Sequence, residues 1–376
     1  MREAYLDNSA TTAVLPEVAK EIYDSMITVY GNPSSLHKKG LEAELELSEA
    51  RKKLAVCMDA PEECVYFSSG GSEGNNAAIY GLAEKRRRFK KIITSAYEHP
   101  SVMQALKRLE KQGFEIMEIA PGADGRISPT EVGRAVDRET AFVSIMMVNN
   151  ELGTINDIAA IARVIKRKNP DVPLHTDAVQ AFGKLKLNCS KLGAQVITVS
   201  GHKIHAPKGI GAMYIEKNFR LPPFVVGGGQ QTGQRGGTEP VAMAKGLARA
   251  AEIAYGKLSE NRAKVAELRN RLLDMLKDEP EVTVNSPDEA LEYVVNISVT
   301  GIRSEIMLHH LESRGVYVSS GSACSKGAKS HVLAAMGFSQ QRIDSAIRVS
   351  FSPLNTPEDV DLLVEGIKEG RKILMR

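Results

Sequence analysis

Between residues 63 and 217 the chain alternates short apolar runs with amphipathic stretches, and few architectures accept that order. ECVYFSSG (63–70), KIITSAY (91–97), FEIMEIA (114–120), TAFVSIMMVNN (140–150), VPLHTDA (172–178), AQVITVSGHK (194–203) and GAMYIEK (211–217) have the length and side chains of strands. Between most of them lie helical patterns such as SVMQALKRLEKQG and IAAIARVIKRKN. Strand–helix–strand repetition predicts a mostly parallel sheet covered on both faces. The last two runs are close in sequence, so one antiparallel neighbour is expected among them.

After about residue 240 the pattern changes. Residues 241–278 read as one long helix, with no proline and few glycines. Beyond it YVVNISVTG, VYVSSGSAC and AIRVSFSP read as strands, with a helix such as SEIMLHHLESRG between them. The chain has 376 residues, more than one hydrophobic core usually serves. We therefore expect a large domain over 14–256 and a smaller α+β domain over 257–376.

Charge and cysteine usage narrow the function classes. A net charge of +3 argues against a chain built to coat nucleic acid. The basic run KRRRFKK (85–91) follows the helical stretch NNAAIYGLAE and reads as a solvated helix end. The four cysteines, Cys57, Cys64, Cys189 and Cys324, form no C-x-x-C pair, so no metal site is suggested and a reducing compartment fits. The first residues lack the apolar core of a signal peptide, and no apolar run approaches the ~20 residues that span a bilayer. The expectation is a cytoplasmic protein without membrane or nucleic-acid partners.

Polar clusters fall where the strands end, the usual ligand edge of an α/β sheet. SSGGSEGNN (68–76) precedes a helix and is either a plain turn or a phosphate cradle, with Gly71 giving close backbone approach and Ser72 a hydroxyl. Asp177, in HTDAVQ, is a helix cap or the partner of a buried positive charge. Lys203, in SGHKIHAPKG, is an exposed lysine or a Schiff-base former in a cleft. Together they are what pyridoxal 5′-phosphate (PLP) needs: an amine for the imine, an acid for the pyridine nitrogen and a seat for the phosphate. His99, in YEHPS, is structural or stacks on a planar cofactor and moves protons. Arg348, in SAIRVS, sits in an apolar setting suited to a carboxylate. Cys324 lies in SSGSACSKG, a stretch of small residues with much freedom to lose on ordering. It is a small hydrophobe in a turn or a nucleophile that travels.

These stretches, with YLDNSATT (5–12), GNPSSLH (31–37), NNELGT (149–154) and GGGQQTGQRGGTEP (227–240), occur in an order that closely resembles the cysteine desulfurases of the class V aminotransferase superfamily. The resemblance covers nearly the whole chain, and SGHK and SSGSAC are its most specific parts. It implies a fold-type I PLP-dependent transferase, with a large domain around a mostly parallel seven-stranded sheet. The smaller C-terminal domain would be completed by residues 1–13. It also implies a homodimer. By motif, Lys203 would hold PLP covalently, Asp177 would pair with its ring nitrogen and His99 would stack on the ring. Gln180 and Asn150 would face its phenolate and the substrate. Gly71, Ser72, Ser200 and His202 would hold the phosphate, and Thr238 would reach the partner subunit's cofactor. Arg348 would bind the carboxylate of L-cysteine. Cys324 would take the sulfur as a persulfide and deliver it to an acceptor, such as an iron–sulfur scaffold or a tRNA-thiolation enzyme.

The sequence departs from the family pattern at Ala206, Pro240 and Ser352–Pro353, and in a shorter segment after Cys324. Selenocysteine lyases and aminotransferases of the same superfamily are the nearest alternatives, although a loop thiol has no use in an aminotransferase. A non-catalytic scaffold on the same fold would have no need to keep Lys203 and Asp177.

Overall fold

The structure is a computed structural model that describes residues 2–320 and 330–374. It begins with a two-residue strand, β1 (Ala4–Tyr5). The central sheet is formed by β2 (Val65–Ser68), β3 (Lys91–Ser95), β4 (Glu115–Ile119), β5 (Thr140–Ser144), β6 (Leu174–Asp177), β7 (Val196–Ser200) and β8 (Gly211–Ile215). The C-terminal part adds β9 (Val282–Val284), β10 (Val294–Val299), β11 (Val316–Tyr317), β12 (Ser319–Ser320) and β13 (Ala346–Ser350).

The seven strands lie in the order β2-β8-β7-β6-β5-β3-β4. All their pairings are parallel except those of β8, which runs antiparallel to both β2 and β7. Every residue of β5, β6, β7 and β8 is buried, which is why these segments read as apolar runs rather than as alternating ones. The helices pack through narrow apolar faces. In Pro100–Glu110 the buried residues are Val102, Ala105, Leu106 and Leu109, one face at helical spacing. Pro100 occupies the first turn, where its missing N–H costs nothing.

The expected antiparallel neighbour is there, but β8 also takes β2 on its other side. The long helix expected over 241–278 is in fact two, Val241–Gly256 and Leu258–Leu276. The break is at Lys257, whose backbone (φ −118°, ψ 20°) leaves the helical region just after Gly256, a weak helix former. The two helices serve different neighbours. The first packs on the helices Pro16–Thr28 and Lys38–Met58, the second on Pro357–Leu374. Close approach is built in at Gly246, where a Cβ would stand 2.5 Å from Ile22 Cδ1. The basic run is only partly a solvated end. Arg86 stacks on Phe89 at 4.0 Å and its Nε donates to the Ala141 carbonyl, while Arg87 and Arg88 are exposed.

The C-terminal four-stranded sheet is antiparallel, in the order β12-β13-β10-β9. The N-terminal segment ties it to the central sheet. β1 pairs with β11, Ser9 N–H donates to Ser350 Oγ at 2.8 Å, and Thr12 N–H donates to the His202 carbonyl at 2.9 Å. Among the described residues no helix is long and apolar enough to cross a membrane.

Candidate active site

The chain passes from β4 on one side of β3 to β5 on the other, so the sheet has a switch point between β3 and β5. The C-terminal ends of β3, β5, β6 and β7 open on one edge. β2 runs the same way as β7, because both are antiparallel to β8, and so ends on that edge too. A cleft of about 550 Å³ lies there. Its wall contains His99, Asn150, Asp177, Gln180, Lys203 and Arg348. Gly71, Ser72, Ser200 and His202 line it as well. Sequence positions as far apart as Ser9 and Arg348 are thereby brought to one site.

Each side chain has a local reason for its place. Asp177 ends β6; one carboxylate oxygen accepts from Val179 N–H at 2.9 Å and the other from Asn75 Nδ2 at 2.7 Å. It is 5% exposed, and these two donors hold its carboxyl at the cleft wall. His99 caps the helix Pro100–Glu110, and its Nδ1 accepts from Ser101 N–H at 3.1 Å, which leaves Nε2 to carry the ring proton. Burial holds the His99 pKa below the ordinary value against the pull of Asp177, with Lys203 and His331 adding to the depression. The ring is thus neutral at pH 7. Lys203 follows β7 in a single tight turn, Gly201–Lys203, and its Nζ donates to the carbonyls of Ser9 at 2.5 Å and Ala10 at 2.8 Å.

The phosphate end fits its proposed tenant. The helix Gly71–Lys85 starts at the cleft with its N–H groups uncapped by any side chain, and Gly70 before it has φ +148°, which a Cβ would resist. Ser200 Oγ is buried, has no hydrogen-bond partner, and lies 3.7 Å from where a Gly70 Cβ would be. An unmet hydroxyl beside an open helix N-terminus is a seat for an anion. With Lys203 and Asp177 on the adjoining wall, the residues present fit PLP.

Arg348 lies on β13 and is 3% exposed. Its guanidinium donates to Asp7 Oδ1 at 2.8 Å and to the Asn150 carbonyl at 3.2 Å, and its Nε is buried without a partner. A buried arginine with donor capacity left over can take a carboxylate from the cleft.

One expected site residue is not in the cleft wall, and another lies outside the described residues. Thr238 is exposed and does not line the cleft of its own chain. Cys324 lies outside the described residues, but both flanks of its segment are anchored at the cleft. Ser319 pairs with Arg348 across β12 and β13. On the other side, Ser330 Oγ donates to Glu151 Oε2 at 2.5 Å, and His331 Nε2 lies 3.0 Å from the Glu98 carbonyl.

Sequence reasoning missed several residues here. Asn75 sits inside the stretch taken for the phosphate cradle, yet its amide serves Asp177. Glu98 and Glu151 are buried carboxyls beside His99 and Asn150, pushed up by burial to about 8 and about 7. Lys184 is 5% exposed and donates to Gln180 Oε1 at 2.8 Å. Its spacing of four from Gln180 was the one available signal.

The chain resembles known proteins over nearly its whole length. The family model described as aminotransferase class-V matches residues 4–363. A "Cysteine desulfurase IscS" from Methanosarcina thermophila is 38% identical over 372 residues, covering 98% of this chain and 92% of that protein. A "Cysteine desulfurase" from Trichormus azollae is 38% identical over 373 residues, with 98% and 93% coverage. Among solved structures, a "NifS-like protein" superposes with a TM-score of 0.93 at 35% identity, covering 98% of this chain and 99% of the other. A NifS-like protein from Rickettsia africae gives 0.90 at 30% identity, with 99% and 100% coverage.

Proposed function

This chain belongs to the class-V aminotransferase family, and on that premise we propose that it is a PLP-dependent cysteine desulfurase. It takes L-cysteine, releases L-alanine and carries the sulfur on a cysteine of its own. The observation that carries the reading is the convergence of Lys203, Asp177, His99 and the unpartnered Ser200 hydroxyl on one cleft. The seven-stranded α/β architecture is the frame that fold-type I enzymes of this family use.

Lys203, Asp177, Ser200, His202 and the N-terminus of the helix Gly71–Lys85 would hold the cofactor, with Gln180 and Asn150 at its edge. When bound, PLP supplies an electron sink that weakens bonds at the substrate's Cα and Cβ. Lys203 Nζ is the group placed to move the proton at Cα. Asp177, held in place by hydrogen bonds from Asn75 and Val179, would face the ring nitrogen. Arg348 orients the substrate carboxylate. Cys324 attacks the substrate sulfur: the S–S bond forms, the Cβ–S bond breaks, and the thiol proton and the electron pair end on alanine.

The other cysteines are poor candidates for that attack. Burial pushes the Cys57 thiol up to about 11 and Cys189 to about 12, and raises Cys64 as well. At neutral pH they are thiols, and the thiolate is the nucleophile. The described residues on either side of the Cys324 segment are held at Arg348, Glu151 and Glu98.

A homodimer is part of the proposal. Thr238 is exposed and does not line its own cleft, and Tyr23, Met26, Ile27, Tyr30, Leu36 and Leu45 are all more than half exposed. A second copy would cover such a face. The division into 14–256 and 257–376 with residues 1–13, a cytoplasmic location, and an iron–sulfur scaffold or tRNA-thiolation enzyme as acceptor belong to the same reading. The test is product analysis after PLP loading. Equal amounts of alanine and reductant-released sulfide from L-cysteine are expected. Turnover of L-selenocysteine alone would make the chain a selenocysteine lyase, and no turnover of either would overturn the enzyme reading.

A further inference from the structure

Lys184 is a buried cation beside the site that the reaction as described does not use. It is buried, and among the described residues no carboxylate lies within ion-pair distance of it. Its ammonium sits over the Tyr293 ring at 5.5 Å and donates to Gln180 Oε1 at 2.8 Å. Burying an amine without an anion is costly. Burial, with Lys203 and Arg348 nearby, brings its pKa down to about 7.

Its role is visible in the hydrogen bonds. As an ammonium Lys184 can only donate, and it donates to the Gln180 carbonyl oxygen. The Ser9 carbonyl can only accept, and it takes Gln180 Nε2 at 3.0 Å. Both neighbours impose the same orientation on an amide that could otherwise flip. The same Ser9 carbonyl accepts from Lys203 Nζ. One N–H of Gln180 is thereby left for whatever occupies the cleft whose wall it forms.

We infer that Lys184 is a positioning residue: by filling the Gln180 carbonyl it locks the amide with its NH₂ toward the cleft, so that Gln180 presents a donor to the cofactor. The inference rests on the PLP reading above. A donor to an anionic group stabilises the deprotonated form, so losing it raises the pH at which the cofactor chromophore titrates.

The test is a double-mutant cycle on PLP-loaded protein, read as the pH midpoint of the visible absorbance. Lys184→Met should raise the midpoint by about one unit. Lys184→Arg, which keeps a donor, should stay at the wild-type value. In a Gln180→Ala background, Lys184→Met should add nothing. An equal shift in that background would show that Lys184 acts directly through its charge and would overturn the inference, as would no shift at all. If Lys184→Met does not fold, Lys184→Gln, too short to reach, takes its place against Lys184→Arg with the same two outcomes. A wild type without a visible band after loading would sink the PLP reading itself; a band that ignores residue 184 would sink only this inference.

Discussion

One wall of the cleft hangs from the seven-stranded sheet, and the other, which carries Arg348, is stitched together by the chain's two ends. On the first wall His99, Asp177 and Lys203 each follow a buried strand by a few residues at most. Backbone ladders fix where they leave the sheet, and short-range donors such as Ser101 and Val179 finish the orientation. On the second wall Arg348 depends on Asp7, and Ser350 on Ser9, contacts that close only when the N-terminal segment is laid across both sheets. Lys203 and Gln180 also reach the N-terminal segment through the Ser9 carbonyl, so the strap touches both walls, and Arg348 depends on it through Asp7.

The largest effect should come from breaking the first wall. Lys203→Ala is expected to lower alanine release from L-cysteine at least about a thousandfold, and to remove the visible band of the loaded protein. Wild-type turnover by that variant would take the central role away from Lys203.

Arg348→Ala breaks the second wall and should separate the two. It removes a charged hydrogen-bond donor worth roughly 1.5–3 kcal/mol, so KM for L-cysteine should rise about ten- to a hundredfold. The visible band of the loaded protein should be unchanged. Loss of that band in Arg348→Ala would mean that the walls are not independent.

A smaller effect concerns stability on the first wall. Glu98 is fully buried, its Oε1 accepts from Met146 N–H at 2.8 Å and from Ser95 Oγ, and its Oε2 has no partner. Burial raises its pKa to about 8, above the unfolded value of about 4.3. The folded state therefore holds a proton that the unfolded state has lost between those values. Stability from this group is complete below about 4.3 and is lost as pH rises through 8. Glu98→Gln should lack that loss, so its melting temperature relative to wild type should improve by a few degrees between pH 5 and pH 8.5. A constant difference across that range would remove Glu98 as the titrating group.

The two walls also differ in how much of them could be read from sequence. The central strands β5 to β8 were visible as apolar runs because burial on both faces leaves no polar alternation, whereas the edge strand β4 is mostly exposed. The groups of the first wall were visible because each lies next to its strand. Asp7 and Arg348 are at opposite ends of the chain, so their pairing had no local signature. The same holds for Asn75 with Asp177, and for Lys184, which reads as an ordinary surface lysine until its burial is known. The break at Lys257 was hidden because a single glycine ending one helix looks like a tolerated interior glycine.

The most direct measurement is peptide mapping by mass spectrometry after a brief exposure of the PLP-loaded protein to L-cysteine without reductant. The account predicts one added sulfur on the peptide containing Cys324, with one alanine released for each, and neither on Cys324→Ser. Alanine release with the extra sulfur on another cysteine, or with none on the protein, would contradict it.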